Sequence, residues 1–176
     1  MKFIPLPLRD AFLVEFEPIV DERGFFARSF CREEFAAHGL NSDLAQCSVS
    51  FNKFKGTLRG LHYQKKPHEE AKLVRCTMGA IYDVIVDIQK SSPTFKHWAS
   101  MELNASNRKA LYIPKGFAHG FLTLADESEI LYQMSEPYCQ ESAAGVRWDD
   151  RAFCIEWPDE IRVMSERDKC YEDFLP

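Results

Sequence analysis

The hydrophobic and polar residues of this chain alternate mostly with the two-residue period of β-strands. In the segment AIYDVIVDI, Tyr82 lies with valines on one face, and Asp83 lies with isoleucines on the other. Glycine-containing turn signals separate the short strands, at Gly24, Gly56, Gly79 and Gly116. This spacing is typical of an antiparallel all-β barrel or sandwich.

Two further predicted strands carry a polar side chain on an apolar face. In AKLVRCTM, Lys72 shares its face with Val74, and in EILYQMSE, Tyr132 shares its face with Ile130. A buried ammonium group needs either a partner or a function, because burial disfavours its charge. Lys72 and Tyr132 are therefore candidates for a site inside the fold.

Helical signals are few. The pattern predicts one early helix from about Cys31 to His38, with Ser29 as its N-cap and Gly39 as its C-terminal stop. A short helical turn is predicted after Ser165. We find no internal repeat or linker, so we expect one domain over residues 1–176 with small helical additions to an all-β fold.

The composition argues against two classes of partner. Acidic residues exceed basic ones by 27 to 22, so neither nucleic acid nor an anionic membrane is expected to bind, and an anionic ligand would need a local basic cluster.

Pro5 and Pro7 interrupt the region where a signal peptide needs an apolar core, and no apolar run approaches a membrane span of ~20 residues. We predict a cytoplasmic protein. Its six scattered cysteines lack the spacing of a zinc or redox site, and we interpret them as unreactive thiols.

The segment GTLRGLHYQKKPHEEAKLVRCTMG (56–79) resembles the first signature of the cupin barrels. Its glycines and His62 keep the cupin intervals, and the second signature appears as PKGFAH with His119. However, Gln64 replaces the second histidine of the metal site, and Lys72 replaces the glutamate. An ammonium group repels a divalent cation but stabilises a developing enolate oxygen, so we expect no metal and no other cofactor.

Six motifs extend this resemblance from Asp21 to Asp168: DERGFF, LRGLHYQ, AKLVRC, SPTF, IPKGFAHGF and SERD. Together they are similar to the dTDP-4-dehydrorhamnose 3,5-epimerase family. The resemblance implies a metal-free cupin (jelly-roll) β-barrel that forms a homodimer. It also implies an isomerase of deoxysugar biosynthesis that inverts C3, C5 or both of a nucleotide-linked 4-keto-6-deoxyhexose through an enolate.

The resemblance assigns four catalytic roles. His62 matches the general base that removes the proton beside the C4 ketone, and Asp168 matches the aspartate that orients it. Lys72 matches the lysine that stabilises the enolate oxygen, and Tyr132 matches the general acid on the opposite face of the sugar. Inversion beside a carbonyl needs these types, because a base and an acid must act from opposite faces.

The remaining matches concern substrate binding. Arg23 and Arg59 match arginines that hold the diphosphate, and a guanidinium fork suits phosphate oxygens. His119 matches a histidine near the sugar, and Phe26 and Tyr138 match aromatic residues around the base. The segment QCSVSFNKFKG is one residue longer than the family pattern, and we expect its polar side chains to reach the nucleotide: Gln46, Ser48 and Ser50.

Arg28 departs from the family pattern in a way that concerns the carrier nucleotide. The family commonly has a glutamate there, which faces the N3–H of thymine, whereas arginine can only donate hydrogen bonds. Cytosine offers acceptors at O2 and N3, so Arg28 favours a CDP-linked substrate, and guanine also offers acceptors. The alternative is that Arg28 turns outward to solvent or pairs with Glu15 or Glu17.

Three other functions stay open at this point. A cupin ketoisomerase would move the keto group, a metal-dependent cupin would need the lost ligands, and a sugar-nucleotide-binding module would need no acid and base. One geometric question is also open: Arg59 and His62 point to opposite faces of a regular strand, yet both are expected at the ligand. A bulge at Gly60 would resolve it.

Overall fold

The computed structural model describes residues 1–175. Within this range the chain is mostly strands, as the alternating pattern predicts. The strands are β1 (Lys2–Pro5), β2 (Phe12–Glu15), β3 (Ile19–Asp21), β4 (Gly24–Phe26), β5 (Gln46–Asn52), β6 (Leu58–Gln64), β7 (Lys72–Met78), β8 (Ala80–Asp87), β9 (Trp98–Asn104), β10 (Ala110–Ile113), β11 (Phe117–Thr123), β12 (Ser128–Met134) and β13 (Ala143–Gly145). The prediction of an all-β fold with small helical additions is confirmed.

The helices are short. Helix α1 (Arg32–Ala37) lies within one residue of its predicted bounds, but its N-cap is Cys31, so the assignment of Ser29 is wrong. The capping preference of serine does not decide the start here, since the helix begins without any side-chain cap. Helix α2 (Glu166–Lys169) follows Ser165, whose side chain caps it as predicted. A 3₁₀-helix spans Gln140–Ser142.

None of the helices within residues 1–175 combines the length and the apolar character needed to cross a lipid bilayer.

Two antiparallel sheets face each other, and a separate hairpin pairs β3 with β4. The six-stranded sheet has the order β1-β2-β10-β7-β12-β5, which leaves β1 and β5 at its edges. The five-stranded sheet has the order β13-β6-β11-β8-β9. This is the double-sheet arrangement of a jelly roll, in which the inner faces of both sheets share one core.

The main core lies between the sheets. Val74 and Ile130 of the larger sheet pack in one buried cluster with Ile81 and Phe121 of the smaller sheet. The faces predicted for these strands are therefore confirmed. Lys72 is on the same face as Val74, so it points into the interior where the apolar cluster gives way to a cavity.

Candidate active site

A cavity of about 410 Å³ opens between the two sheets. Strands β5, β7 and β12 of the larger sheet and β6, β11 and β13 of the smaller sheet line it, and Arg167 of α2 closes one side. The volume suits a small-molecule ligand. Seven of the predicted catalytic and binding residues line this cavity: Gln46, Arg59, His62, Lys72, His119, Tyr132 and Tyr138.

His62 and Asp168 form a hydrogen-bonded pair at the cavity wall. His62 Nε2 lies 2.7 Å from Asp168 Oδ1, although 106 residues separate the two in sequence. The side chain of His62 is 41% exposed, whereas that of Asp168 is 5% exposed. The backbone N–H of Gly60 donates to the other carboxylate oxygen at 3.2 Å. Asp168 is thereby held in place by the strand that carries His62.

The ionisation of Asp168 decides which nitrogen of His62 is free. Burial alone would raise the pKa of Asp168, but the hydrogen bond and charge of His62, with smaller contributions from Gly60 and Ser165, lower it overall. An ionised carboxylate can only accept, so His62 Nε2 carries a proton in this pair. Nδ1 is then the nitrogen with a lone pair, which makes His62 a base with a defined orientation.

Gly60 resolves the geometric question about Arg59 and His62. His119 of β11 is opposite His62, and Phe121 is opposite Arg59. Between these paired positions, two residues of β6 lie opposite one residue of β11. This bulge reverses the alternation, and both side chains reach the cavity. Only glycine fits, because φ is 133° and an added Cβ would lie 2.5 Å from the Cα of Gly120.

Lys72 is buried with a carboxylate partner. Its Nζ lies 3.0 Å from Oε1 of Glu70, and the two side chains are 10% and 6% exposed. The ammonium also donates to the backbone carbonyl of His62 at 3.3 Å. Two of its three N–H bonds are thus engaged, and the third remains for a ligand in the cavity.

Tyr132 and His119 form the inner wall. Their ring centroids are 5.9 Å apart in an edge-to-face arrangement. His119 Nε2 lies 2.6 Å from Asp83 Oδ1, and this pair is almost fully buried. Burial, with the Asp83 carboxylate as a second cause, raises the pKa of Tyr132 above its ordinary value. The phenol therefore stays protonated at neutral pH and can act as a proton donor.

The outer part of the cavity carries groups suited to a nucleotide. The guanidinium of Arg59 is oriented by Asn52, whose Oδ1 accepts from Nε at 2.7 Å. Tyr138 is 56% exposed at the rim, and its backbone N–H donates to Gln46 Oε1 at 2.9 Å. Gln46 therefore supports the segment that bears Tyr138, and it also faces the cavity together with Ser48 and Ser50 of the same strand.

Gln64 supports the same segment from the other side. Its Oε1 accepts from the backbone N–H of Cys139 at 2.6 Å, and its Nε2 donates to the carbonyls of His68 and Pro137. All of its polar groups are engaged with backbone. The residue at the cupin metal-ligand position thus holds a loop, and within residues 1–175 no group of three or more candidate ligands could bind a metal ion.

Three predicted binding residues lie outside the cavity of this single chain. Arg23 is on the β3–β4 hairpin, 84% exposed at its side chain, and pairs with Asp21 at 2.5 Å. Phe26, on the same hairpin, is 77% exposed. Arg28 turns outward, as one of the alternatives states, and pairs with Glu34 at 2.5 Å, so the other alternative, a pair with Glu15 or Glu17, is wrong.

Sequence reasoning missed three residues of the site. Glu70 is two positions before Lys72, so strand alternation could have placed both on one face. Asp83 shares a face with isoleucines, and an acid among apolar residues signals a buried polar pair. Arg167 precedes Asp168 in α2, and contact with the hydroxyl of Tyr138 raises its pKa. No sequence signal connects Arg167 with the cavity.

The arrangement can hold an anion and move a proton. Arg59, Lys72 and Arg167 supply positive charge at the cavity of a chain whose net charge is −5. This is the local basic cluster that an anionic ligand requires. His62 on the smaller sheet and Tyr132 on the larger sheet face the same space, so a ligand between them meets a base on one side and a proton donor on the other.

Comparison with known proteins agrees with this geometry. The family model for dTDP-4-dehydrorhamnose 3,5-epimerase matches residues 5–175. The dTDP-4-dehydrorhamnose 3,5-epimerase of Shigella flexneri is 43% identical over 169 residues, which cover 96% of this chain and 93% of that protein. The crystal structure of the enzyme of that name from Elizabethkingia anophelis superposes with a TM-score of 0.96 at 37% identity and covers 99% of this chain and 96% of that one.

A second crystal structure, of dTDP-4-dehydrorhamnose 3,5-epimerase from Bacillus anthracis with TDP and PPi bound, gives a TM-score of 0.94 at 40% identity. It covers 98% of this chain and 99% of that chain. The resemblance seen in the motifs is confirmed by the sequence match and by the structural match over nearly the whole length. This chain belongs to the dTDP-4-dehydrorhamnose 3,5-epimerase family.

Proposed function

We propose that this chain inverts both C3 and C5 of a dTDP-linked 4-keto-6-deoxyhexose. The observation that carries the proposal is the placement of His62 and Tyr132 on opposite sheets across one cavity, with Lys72 between them. The relatives, which are 37–43% identical, are named dTDP-4-dehydrorhamnose 3,5-epimerases. This supports dTDP as the carrier nucleotide and inversion at both C3 and C5.

The proposed chemistry begins at His62. Hydrogens beside a ketone are acidic because the anion left behind is an enolate, and Nδ1 of His62 takes the proton while Asp168 stabilises the imidazolium. The free N–H of Lys72 donates to the ketone oxygen, where the negative charge develops. Tyr132 then returns a proton to the same carbon from the opposite face, and this inverts the centre.

The rest of the cavity is proposed to bind the nucleotide diphosphate. Arg59 and Arg167 supply positive charge for the phosphate oxygens, and Tyr138 at the rim supplies an aromatic face for the base. His119, held by Asp83, is proposed to contact the sugar.

One experiment tests the activity and separates it from its rivals. The enzyme is incubated in deuterated buffer with dTDP-, CDP- and GDP-linked 4-keto-6-deoxyglucose, and nuclear magnetic resonance locates the label. We expect deuterium at C3 and C5, inversion at both, and fastest turnover of the dTDP sugar. A keto group that migrates to C3 would indicate a ketoisomerase, and no exchange in any sugar would indicate a binding module.

We propose further that the working form is a homodimer in which each hairpin completes the cavity of its partner. The β3–β4 hairpin exposes apolar side chains, with Ile19, Val20 and Phe26 each at least 72% exposed. Such a patch marks a contact surface. The cavity is open beside the edge strand β5, so a second chain docked at that edge could bring its hairpin to the rim. Arg23 and Phe26 would then reach the ligand.

Complementation tests this arrangement. Arg23→Ala and His62→Ala should each be poorly active as homodimers, because one lacks a phosphate contact and the other lacks the base. A mixed dimer contains one site with neither change if the hairpin crosses, so mixing the two proteins after partial unfolding should restore activity. Sedimentation should show a dimer, and a mixture no more active than the average of its parts would contradict the shared site.

The cytoplasm remains our prediction from the sequence for the compartment. Fractionation of cells that produce a tagged form of the chain would test it.

A further inference from the structure

Glu70 is a carboxylate in the wall of the cavity whose role the proposed chemistry does not explain. Its side chain is 6% exposed and its Oε1 is paired with Lys72. Its Oε2 is buried and makes no hydrogen bond to any group of residues 1–175. An ionised carboxylate has room for about four donors, so most of the acceptor capacity of Glu70 is unused.

Unused acceptor capacity in a buried carboxylate is unfavourable, and buried polar groups normally find a donor. Rotation about the terminal torsion of glutamate is soft, so either oxygen can be turned towards the cavity that Glu70 lines. A ligand that carries a hydroxyl group at this point would supply the missing donor.

The contacts of Lys72 indicate which hydroxyl group of the ligand would donate to Glu70. Its remaining N–H is directed by its two other contacts, to Glu70 and to the carbonyl of His62. A ketone oxygen can only accept, so it must meet Lys72, whereas a hydroxyl hydrogen must meet Glu70. The two protein groups are adjacent, so the two ligand groups must be on neighbouring carbons.

We propose that Lys72 and Glu70 together recognise an α-hydroxyketone, with Lys72 on the ketone oxygen and Glu70 on the hydroxyl of the neighbouring C3. This inference rests on the proposed function, because it takes Lys72 to contact the C4 ketone. It makes Glu70 a residue that selects substrates with a 3-hydroxyl group. Inversion at C3 turns that hydroxyl to the other side of the ring, so Glu70 contacts only one of the two C3 epimers in this way.

The test compares two substrates that differ only at C3. The nucleotide-linked 4-keto-6-deoxyhexose and its 3-deoxy analogue both have a hydrogen at C5, so deuterium uptake at C5 reports on both. For the wild type we expect kcat/KM to be about tenfold lower with the 3-deoxy analogue, mainly through KM, because the buried acceptor is left without its donor.

Two variants then assign that preference to Glu70. Glu70→Met removes the acceptors, and we expect it to treat the two substrates alike. Glu70→Gln keeps the size and a neutral acceptor, so it should fold even if Glu70→Met does not. It should lower the preference, because hydrogen bonds to a charged group are about twice as strong as neutral ones. Glu69→Gln is the matched control, since its carboxylate does not line the cavity, and it should keep the wild-type ratio.

The outcomes distinguish the two proposals. If the wild type exchanges neither substrate, the proposed function itself fails. Lys72→Met should lower turnover if Lys72 donates to the C4 ketone oxygen. If it does so but every folded Glu70 variant keeps the wild-type ratio, only the role of Glu70 is overturned. A wild type that does not distinguish the two substrates would overturn it as well.

Discussion

Two histidine–aspartate pairs meet the same cavity with nearly equal geometry but different access to it. In one, His62 Nε2 and Asp168 Oδ1 are 2.7 Å apart, and the histidine side chain is 41% exposed. In the other, His119 Nε2 and Asp83 Oδ1 are 2.6 Å apart, and the side chains are 4% and 0% exposed. The first pair joins a strand to α2, whereas the second joins the neighbouring strands β11 and β8.

We infer from this difference that exposure, more than hydrogen bonding, suits the first pair to the proposed role of base. A base must approach the carbon that loses the proton, and the open imidazole of His62 can do so. His119 is almost fully buried beside Tyr132, so it is less accessible than His62 for taking a proton from a ligand. The Asp83 carboxylate also keeps Tyr132 protonated by raising its pKa further after burial has raised it.

The greatest loss of activity is expected at His62, the exposed histidine of the two pairs. His62→Ala should abolish solvent deuterium uptake at both C3 and C5, a loss of ~10²–10⁴-fold or more, because one base serves both carbons. His119→Asn should keep deuterium exchange within about tenfold of the wild type, since we do not assign His119 as the base. His97→Ala, at an exposed site, is the control. Near-normal exchange in His62→Ala would end the assignment of the base.

Tyr132, which lies against the buried pair, should give a different signature. Tyr132→Phe removes the proton donor but leaves His62, so label should still enter the sugar while net inversion falls by ~10²-fold or more. The enolate would be reprotonated from the side on which it formed. The measurement compares, in the same sample, the deuterium content of the sugar with the configuration at C3 and C5. Equal loss of exchange and inversion would mean that Tyr132 acts before the enolate forms.

The two aspartates should also differ in their effects on turnover. Asp168→Asn should reduce exchange by ~10²-fold or more, because an amide can hold the imidazole in the wrong tautomer. Asp83→Asn should mainly raise KM, with exchange at saturating substrate within about threefold of the wild type, since His119 is proposed to contact the sugar and not to take the proton. If the two substitutions had equal effects on turnover, the distinction between the pairs would be lost.

Stability should depend on pH through Asp168. Its pKa is lower in the folded chain than its ordinary value, so its ionised form adds stability above pH ~3.9, and this stability is lost as the pH falls through the folded pKa. Asp168→Asn should lower the free energy of unfolding by about 1.5–3 kcal/mol at pH 7. Urea titrations should show this difference shrinking at pH 3, and Asp173→Asn, on the surface, should show neither effect. A difference that persists at pH 3 would contradict the charge argument.

The smallest expected effect lies outside both pairs, at the carrier nucleotide. Arg28 points away from its own cavity towards Glu34, so a role at the base requires a second chain. If it meets the base there, CDP should bind about tenfold better than dTDP, and Arg28→Glu should reverse the preference. If it stays with Glu34, as in the single chain, dTDP should bind more tightly. Isothermal titration of both nucleotides against both proteins distinguishes the outcomes.

Local patterns in the sequence predicted the strand faces that build the site. Lys72 with Val74, and Tyr132 with Ile130, lie on inner faces as their spacing predicts, because alternation along a strand is set by backbone geometry alone. The turn after Ser165 is also local, since its cap is made within three residues. Ser29 shows the limit of such rules, because α1 begins after Cys31 without any side-chain cap.

Local patterns were therefore enough to predict the all-β fold, the inner faces and, through the motifs, the residue types of an epimerase. Which of these residues meet depends on the packing of distant segments. Asp168 contacts His62 across 106 residues because α2 packs on β6. Arg59 faces the same cavity as His62 because a bulge at Gly60 reverses the alternation of side chains along β6. Contacts of this kind arise from the packing of distant segments, which no local pattern encodes.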